Sequence, residues 1–70
     1  MDNKVLHNNL KKIRKYNKLS QKELSKQIGV SRQTLSMIEK GCVNPSLKIA
    51  LKMSKIFMVD VNELFILTEK

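Results

Sequence analysis

The stretch QKELSKQIGVSRQTLSMIEK, residues 21–40, holds two helix-forming patterns separated only by Gly29, Val30 and Ser31. So short a joint forces the two helices to cross steeply, and Gly29 supplies the backbone conformation the bend demands. Leu24, Ile28, Val30, Leu35 and Ile38 then fall on the inner side of the corner. Ser25, four residues before the glycine, is small enough to let the helices approach. The second helix opens unusually. Arg32, Gln33 and Thr34 make a first turn of donors and acceptors, and the apolar anchors Leu35 and Ile38 come only afterwards. Apolar residues at helical spacing serve any helical hairpin. A short glycine joint, a small residue before it and a polar turn after it are together far more restrictive.

Capping signals divide the rest of the chain. Ser20 and Glu23 form a capping box, in which the hydroxyl accepts from the third helical N–H and the carboxylate reaches back. Leu19 and Leu24 around it have the spacing of a hydrophobic staple. The same frame recurs at Val30, Ser31 and Leu35, and at Val59, Asp60, Glu63 and Leu64. Ser46 after Pro45 opens another helix, and Asn3 can open the first, with Leu6, Leu10 and Ile13 as its apolar stripe. Asn17, Gly29 and Gly41 tolerate the left-handed conformation that ends a helix. These signals predict five helices, at about 4–16, 21–28, 32–40, 47–57 and 61–67. Strand alternation competes only over Leu64 to Thr68. The expectation is an all-α fold, a five-helix bundle in one domain over residues 1–70, with a short C-terminal strand as the variant.

Charge narrows the partners. Fourteen Lys and Arg stand against six Asp and Glu, a formal charge of +8. Residues 1–55 hold thirteen of the basic side chains and three acidic ones, whereas residues 56–70 hold one Lys against Asp60, Glu63 and Glu69. A Lys-rich soluble surface has this composition. So has a polyanion-binding body whose C-terminal segment is kept for another contact. One cysteine, Cys42, cannot form an internal disulfide, which points to the reducing cytoplasm. No apolar run approaches the length of a membrane span, and no signal peptide is visible.

Residues 21–40 resemble the helix-turn-helix of the Cro and phage-repressor (Xre-like) type of transcription regulators. The resemblance extends through LKKIRK, which fits that family's first helix, and GCVNPSLKIALKMSKIFMVDVNELF, which fits its fourth and fifth. One departure is Ser25, where the family mostly has Ala; its hydroxyl can bond back within the helix. The resemblance implies a lambda-repressor-like fold and sequence-specific binding of double-stranded DNA, with regulation expected to be repression. A helix N-terminus with a polar, outward first turn suits the major groove, where base edges present a distinct donor and acceptor pattern. On the helical wheel Arg32, Gln33, Ser36 and Met37 face the groove, unless this is an ordinary solvated face. Arg32 suits guanine, Gln33 suits adenine, and Met37 offers only an apolar contact.

The resemblance also implies that Gln21 and the segment Lys40 to Asn44 flank the groove and grip the phosphate backbone, with Ser31 and Thr34 as plausible additions. Arg14 and Glu39 occupy places where the family carries an Arg–Glu pair, implying a partly buried ion pair that fixes the first helix against the recognition helix.

An enzyme is not expected. His7, the only histidine, has no acid or nucleophile spaced to partner it, and His7 and Cys42 make no metal-ligand pattern. No glycine-rich phosphate loop is present, and no cofactor is implied. Cys42 is either a passive loop residue or a redox switch beside the phosphate-gripping segment. The alternative class is a protein-binding module that keeps this fold, such as the antitoxin of a toxin–antitoxin pair. Assembly is the remaining expectation. Phe65, Ile66 and Leu67 are more apolar residues than one helix face can hide, so residues 61–68 are expected to join a homodimer on a palindromic site. The competing reading is a wholly internal fifth helix with a frayed end.

Overall fold

The structure, a computed structural model, describes residues 4–69. Its elements are β1 (Lys4–Asn8), α1 (Leu10–Tyr16), α2 (Gln21–Ile28), α3 (Arg32–Glu39), α4 (Leu47–Phe57), α5 (Val61–Leu64) and β2 (Phe65–Glu69). Five helices and a two-stranded antiparallel ribbon make a mostly helical fold. Four of the five helices begin where a capping residue predicts. Ser20, Ser31 and Ser46 each accept from the N–H three residues on, and Glu63 reaches back to the Asp60 N–H at 2.8 Å. At Ser20 the box is complete: Glu23 N–H donates to Ser20 Oγ at 3.0 Å, and Ser20 N–H donates to Glu23 Oε1 at 2.9 Å. Donation from the Ser20 backbone, together with the side-chain bond between the two residues, holds the Glu23 carboxyl below its ordinary range.

The two ends of the chain depart from the expected bundle. Residues 4–8 are not helical; they form β1, paired with β2 in the register Lys4↔Glu69 through Asn8↔Phe65. The helix expected over 4–16 therefore begins only at Leu10, and Leu6 belongs to the strand rather than to the helical stripe. Asn3, the expected cap, lies outside the described residues. The strand's hydrogen-bonding partner stands at the far end of the chain, so no local pattern could disclose it. The fifth helix correspondingly stops at Leu64, and Phe65 turns to extended backbone at φ −131° and ψ 122°. The strand foreseen at Leu64 to Thr68 is present one residue later, and its partner is this chain's own N-terminal segment. At the end of α1 it is Lys18, not Asn17, that takes the left-handed conformation, with φ 59°.

Every helix and β2 contribute to one core: Leu10, Leu24, Ile28, Leu35, Ile38, Ala50, Met53, Phe57, Leu64 and Phe65. The corner between α2 and α3 is its centre, since Leu24, Ile28 and Leu35 are fully buried there. Gly29 turns the corner at φ 78°, with its N–H and that of Val30 both donating to the Ser25 carbonyl. A methyl at Gly29 would meet nothing closer than Lys52 Nζ at 4.0 Å, so only the backbone resists it. Leu35→Ala is expected to cost about 2–5 kcal/mol through the cavity it leaves. Gly29→Ala should cost about 1–2 kcal/mol, the strain of a left-handed alanine. Urea denaturation of both variants against the wild type measures the two costs.

Candidate nucleic-acid interface

The first turn of α3 is exposed as its sequence suggests. Arg32, Gln33 and Thr34 are all solvent-facing, while Leu35 and Ile38 hold the helix to the core from behind. Ser36 is half-buried and Met37 is 39% exposed, so the four proposed readers lie along the outward side. Ser31 caps the helix by accepting the Thr34 N–H at 3.0 Å and donating to Thr34 Oγ1 at 2.9 Å. Its own proton is thus committed, whereas the Thr34 hydroxyl proton is left for an outside acceptor.

The helix carries one carboxylate, and the fold withdraws it. Glu39 Oε2 accepts from Arg14 Nε at 2.6 Å, and its Oε1 accepts from Arg14 Nη2 at 3.3 Å. Gln21 Nε2 donates to the same Oε1 at 3.0 Å. Arg14 Nη1 donates to the Leu19 carbonyl at 2.8 Å, and both charged side chains are more than nine-tenths buried. This is the ion pair expected between the first helix and the recognition helix. Its consequence is electrostatic: the exposed face of α3 presents Arg32 and the adjoining Lys40, with no anion to oppose a phosphate.

Behind α3 the chain folds back on the helix end. Gly41, at φ 79°, donates to the Ile38 carbonyl at 3.0 Å, and Cys42 N–H donates to the Met37 carbonyl at 2.9 Å. Lys40, Cys42 and Asn44 are exposed on this loop. The expected phosphate contacts therefore differ in kind. Lys40 and Asn44 make no side-chain hydrogen bond among the described residues, whereas one N–H of the Gln21 amide donates to Glu39. Phe65, expected in a dimer joint, is instead only 8% exposed, because the turn into β2 points it into the core. Ile66 and Leu67 remain 40% and 60% exposed. The side chains missed in the sequence are Asn8 and Asn9. Asn8 Nδ2 donates to the Ile38 carbonyl at 2.7 Å, and Asn9 Nδ2 donates to the Glu63 carbonyl at 3.2 Å. An Asn–Asn pair just before an apolar periodic segment was the available signal.

Comparison with known proteins bears on this geometry. The family model described as helix-turn-helix matches residues 10–64. The chain belongs to the Xre/Cro-like helix-turn-helix family. An uncharacterised HTH-type transcriptional regulator of Methanocaldococcus jannaschii is 48% identical over 61 residues, covering 87% of this chain and 92% of the relative. The HTH-type regulator YgzD of Bacillus subtilis is 40% identical over 65 residues, covering 93% and 98%. A further such regulator, from Archaeoglobus fulgidus, is 39% identical over 61 residues, covering 87% and 86%. The helix-turn-helix match starts with α1 and ends with α5, so both strands of the ribbon lie outside it. Membership of this family is membership among DNA-binding regulators, not enzymes. Among the described residues no helix is long and apolar enough to cross a membrane.

The buried pair makes a sharp prediction. Glu39→Ala leaves the Arg14 guanidinium inside with one carbonyl acceptor, and should destabilise the fold by about 3–5 kcal/mol. Replacing both partners with apolar residues of similar volume should cost markedly less. A denaturation series on Glu39→Ala and the double variant Arg14→Met, Glu39→Leu tests this ordering.

Proposed function

We propose that this protein is a sequence-specific repressor, working in the cytoplasm as a homodimer on a roughly palindromic operator in double-stranded DNA. The observation that carries the reading is the exposed first turn of α3, with its apolar side buried and its only carboxylate withdrawn. The N-terminal end of α3 enters the major groove. Arg32 takes guanine through its two-pronged guanidinium and Gln33 takes adenine, while Ser36 and Met37 read the neighbouring step. Lys40 and Asn44 hold the phosphate backbone on one side. Ser31 and Thr34 contribute at the helix start, where Thr34 supplies the proton. Gln21 contributes at the start of α2, through the backbone N–H groups of that turn and the amide N–H that Glu39 does not take. A module lying in the groove excludes other proteins from the same site, which is repression by the simplest route.

Arg32→Ala should reduce preference at one base pair by about 1–3 kcal/mol, whereas Lys40→Ala should weaken all duplexes about alike. Titration of selected and random duplexes separates the two, and log affinity should fall steeply with log salt. Equal weakening of both duplexes by Arg32→Ala would remove base reading from that residue. A flat salt response, with a stoichiometric protein companion in native extract, would favour the antitoxin reading.

One such module covers a short half-site, and a dimer presents two recognition helices about 34 Å apart along one face of the duplex. The molecule measures 37 × 23 × 20 Å, a scale that fits two copies across successive turns. With Phe65 spent inside the chain, the joint rests on Ile66 and Leu67 of β2. Sedimentation of the wild type should show a dimer, and Ile66→Lys should return it to monomer. A dimer that survives Ile66→Lys would move the joint elsewhere, to the exposed side chains Leu47, Leu51 and Met58 of α4 and its cap.

A further inference from the structure

Asn8 ends β1, outside the span that matches the helix-turn-helix family, yet its side chain reaches the recognition helix. Its two amide atoms do two different jobs. Oδ1 accepts the N–H of Leu10 at 3.2 Å, at the start of α1. Nδ2 donates to the carbonyl of Ile38 at 2.7 Å, in the last turn of α3. Helix starts leave N–H groups without internal partners, and helix ends leave carbonyls in the same condition. A carboxamide is the short side chain that offers an acceptor and a donor together, and its orientation here is set by an N–H on one side and a carbonyl on the other.

The tether acts at the back of α3. The Ile38 carbonyl receives both Asn8 and the Gly41 N–H, and the next residue, Glu39, is held by Arg14 and Gln21. The reading turn of Arg32 and Gln33 is held by the joint Gly29 to Ser31 and by the buried Leu35, and among the described residues neither side chain makes a hydrogen bond to another element. The helix is thus packed against α2 near its start and fixed by hydrogen bonds to other elements at its distal end. Its eight residues span about 12 Å. A tilt of about 5° about the fixed end would displace the reading turn by roughly 1 Å, enough to spoil a directional hydrogen bond to a base edge.

We propose that Asn8 is a positioning residue for base reading: by holding the Ile38 carbonyl it sets the tilt of α3, and with it the placement of Arg32 and Gln33. The proposal rests on α3 being the element that reads DNA. Asn9 provides the matched control, because its amide ties the same junction to the Glu63 carbonyl of α5 and not to α3.

The test compares wild type, Asn8→Asp, Asn8→Ala and Asn9→Ala on a duplex from random-site selection and on random duplex. Urea midpoints are measured in parallel. Asn8→Asp keeps the acceptor for Leu10 and loses the donor for Ile38; Asn8→Ala loses both without adding charge, and gives the ratio even if Asn8→Asp loses its helicity. Both should reduce the ratio of selected to random affinity by about tenfold, the worth of one hydrogen bond at the reading end. Asn9→Ala should lower the urea midpoint and leave the ratio as in wild type. A wild-type ratio in the Asn8 variants, or an equal fall in Asn9→Ala, overturns the positioning role alone. A wild type that does not discriminate between the duplexes overturns base reading itself, and the role of Asn8 with it.

Discussion

The buried Arg14–Glu39 pair is the constraint on which the arrangement of this molecule turns. Two opposite charges more than nine-tenths out of water must satisfy one another, and here they do so across two helices far apart in the chain. The carboxylate accepts three hydrogen bonds and the guanidinium donates three, so neither ion has a cheap alternative position. Such a pair adds little net stability over an apolar replacement. Its value lies in geometry, because a forked donor and a carboxylate meet in only a few relative orientations. The same contact removes the one negative charge from α3, so register and electrostatics of the outward face follow from a single interaction.

Around that pair the helices use very short local devices. Ser20, Ser31 and Ser46 each supply the oxygen that starts a helix, and left-handed residues at Gly29, Gly41 and Met58 end or turn the chain. The ribbon is a different kind of addition. It joins residues 4–8 to 65–69, closes the two ends over the core through Phe65, and connects to the helices through Asn8 and Asn9. The helical body alone accounts for the family's helix-turn-helix match, while the ribbon supplies contacts between that body and the ends of the chain.

Much of this could be anticipated without coordinates. The capping box at Ser20 and Glu23, the corner at Gly29, the inward positions Leu24, Ile28, Leu35 and Ile38, and the polar turn at Arg32 to Thr34 are all local patterns. Each depends on residues within a turn or two, where propensity and side-chain geometry act directly. Family resemblance supplied the pairing of Arg14 with Glu39, which spacing alone does not.

Sequence on its own therefore settled where four of the five helices start, which of their faces are apolar, and that a polar helix start would be presented outward. Tertiary structure decided the rest. Lys4–Asn8 became a strand because its partner is Phe65–Glu69, and backbone pairing over that separation overrides a helical spacing of Leu6, Leu10 and Ile13. Phe65 went to the core rather than to an interface because leaving the helix at Leu64 turned its side chain inward. Gln21 was drawn from the surface to Glu39, and Asn8 to the Ile38 carbonyl, because a buried carboxylate and a helix-end carbonyl both require donors. Local chemistry fixes what a residue can offer; only the packed chain determines which unsatisfied group it meets.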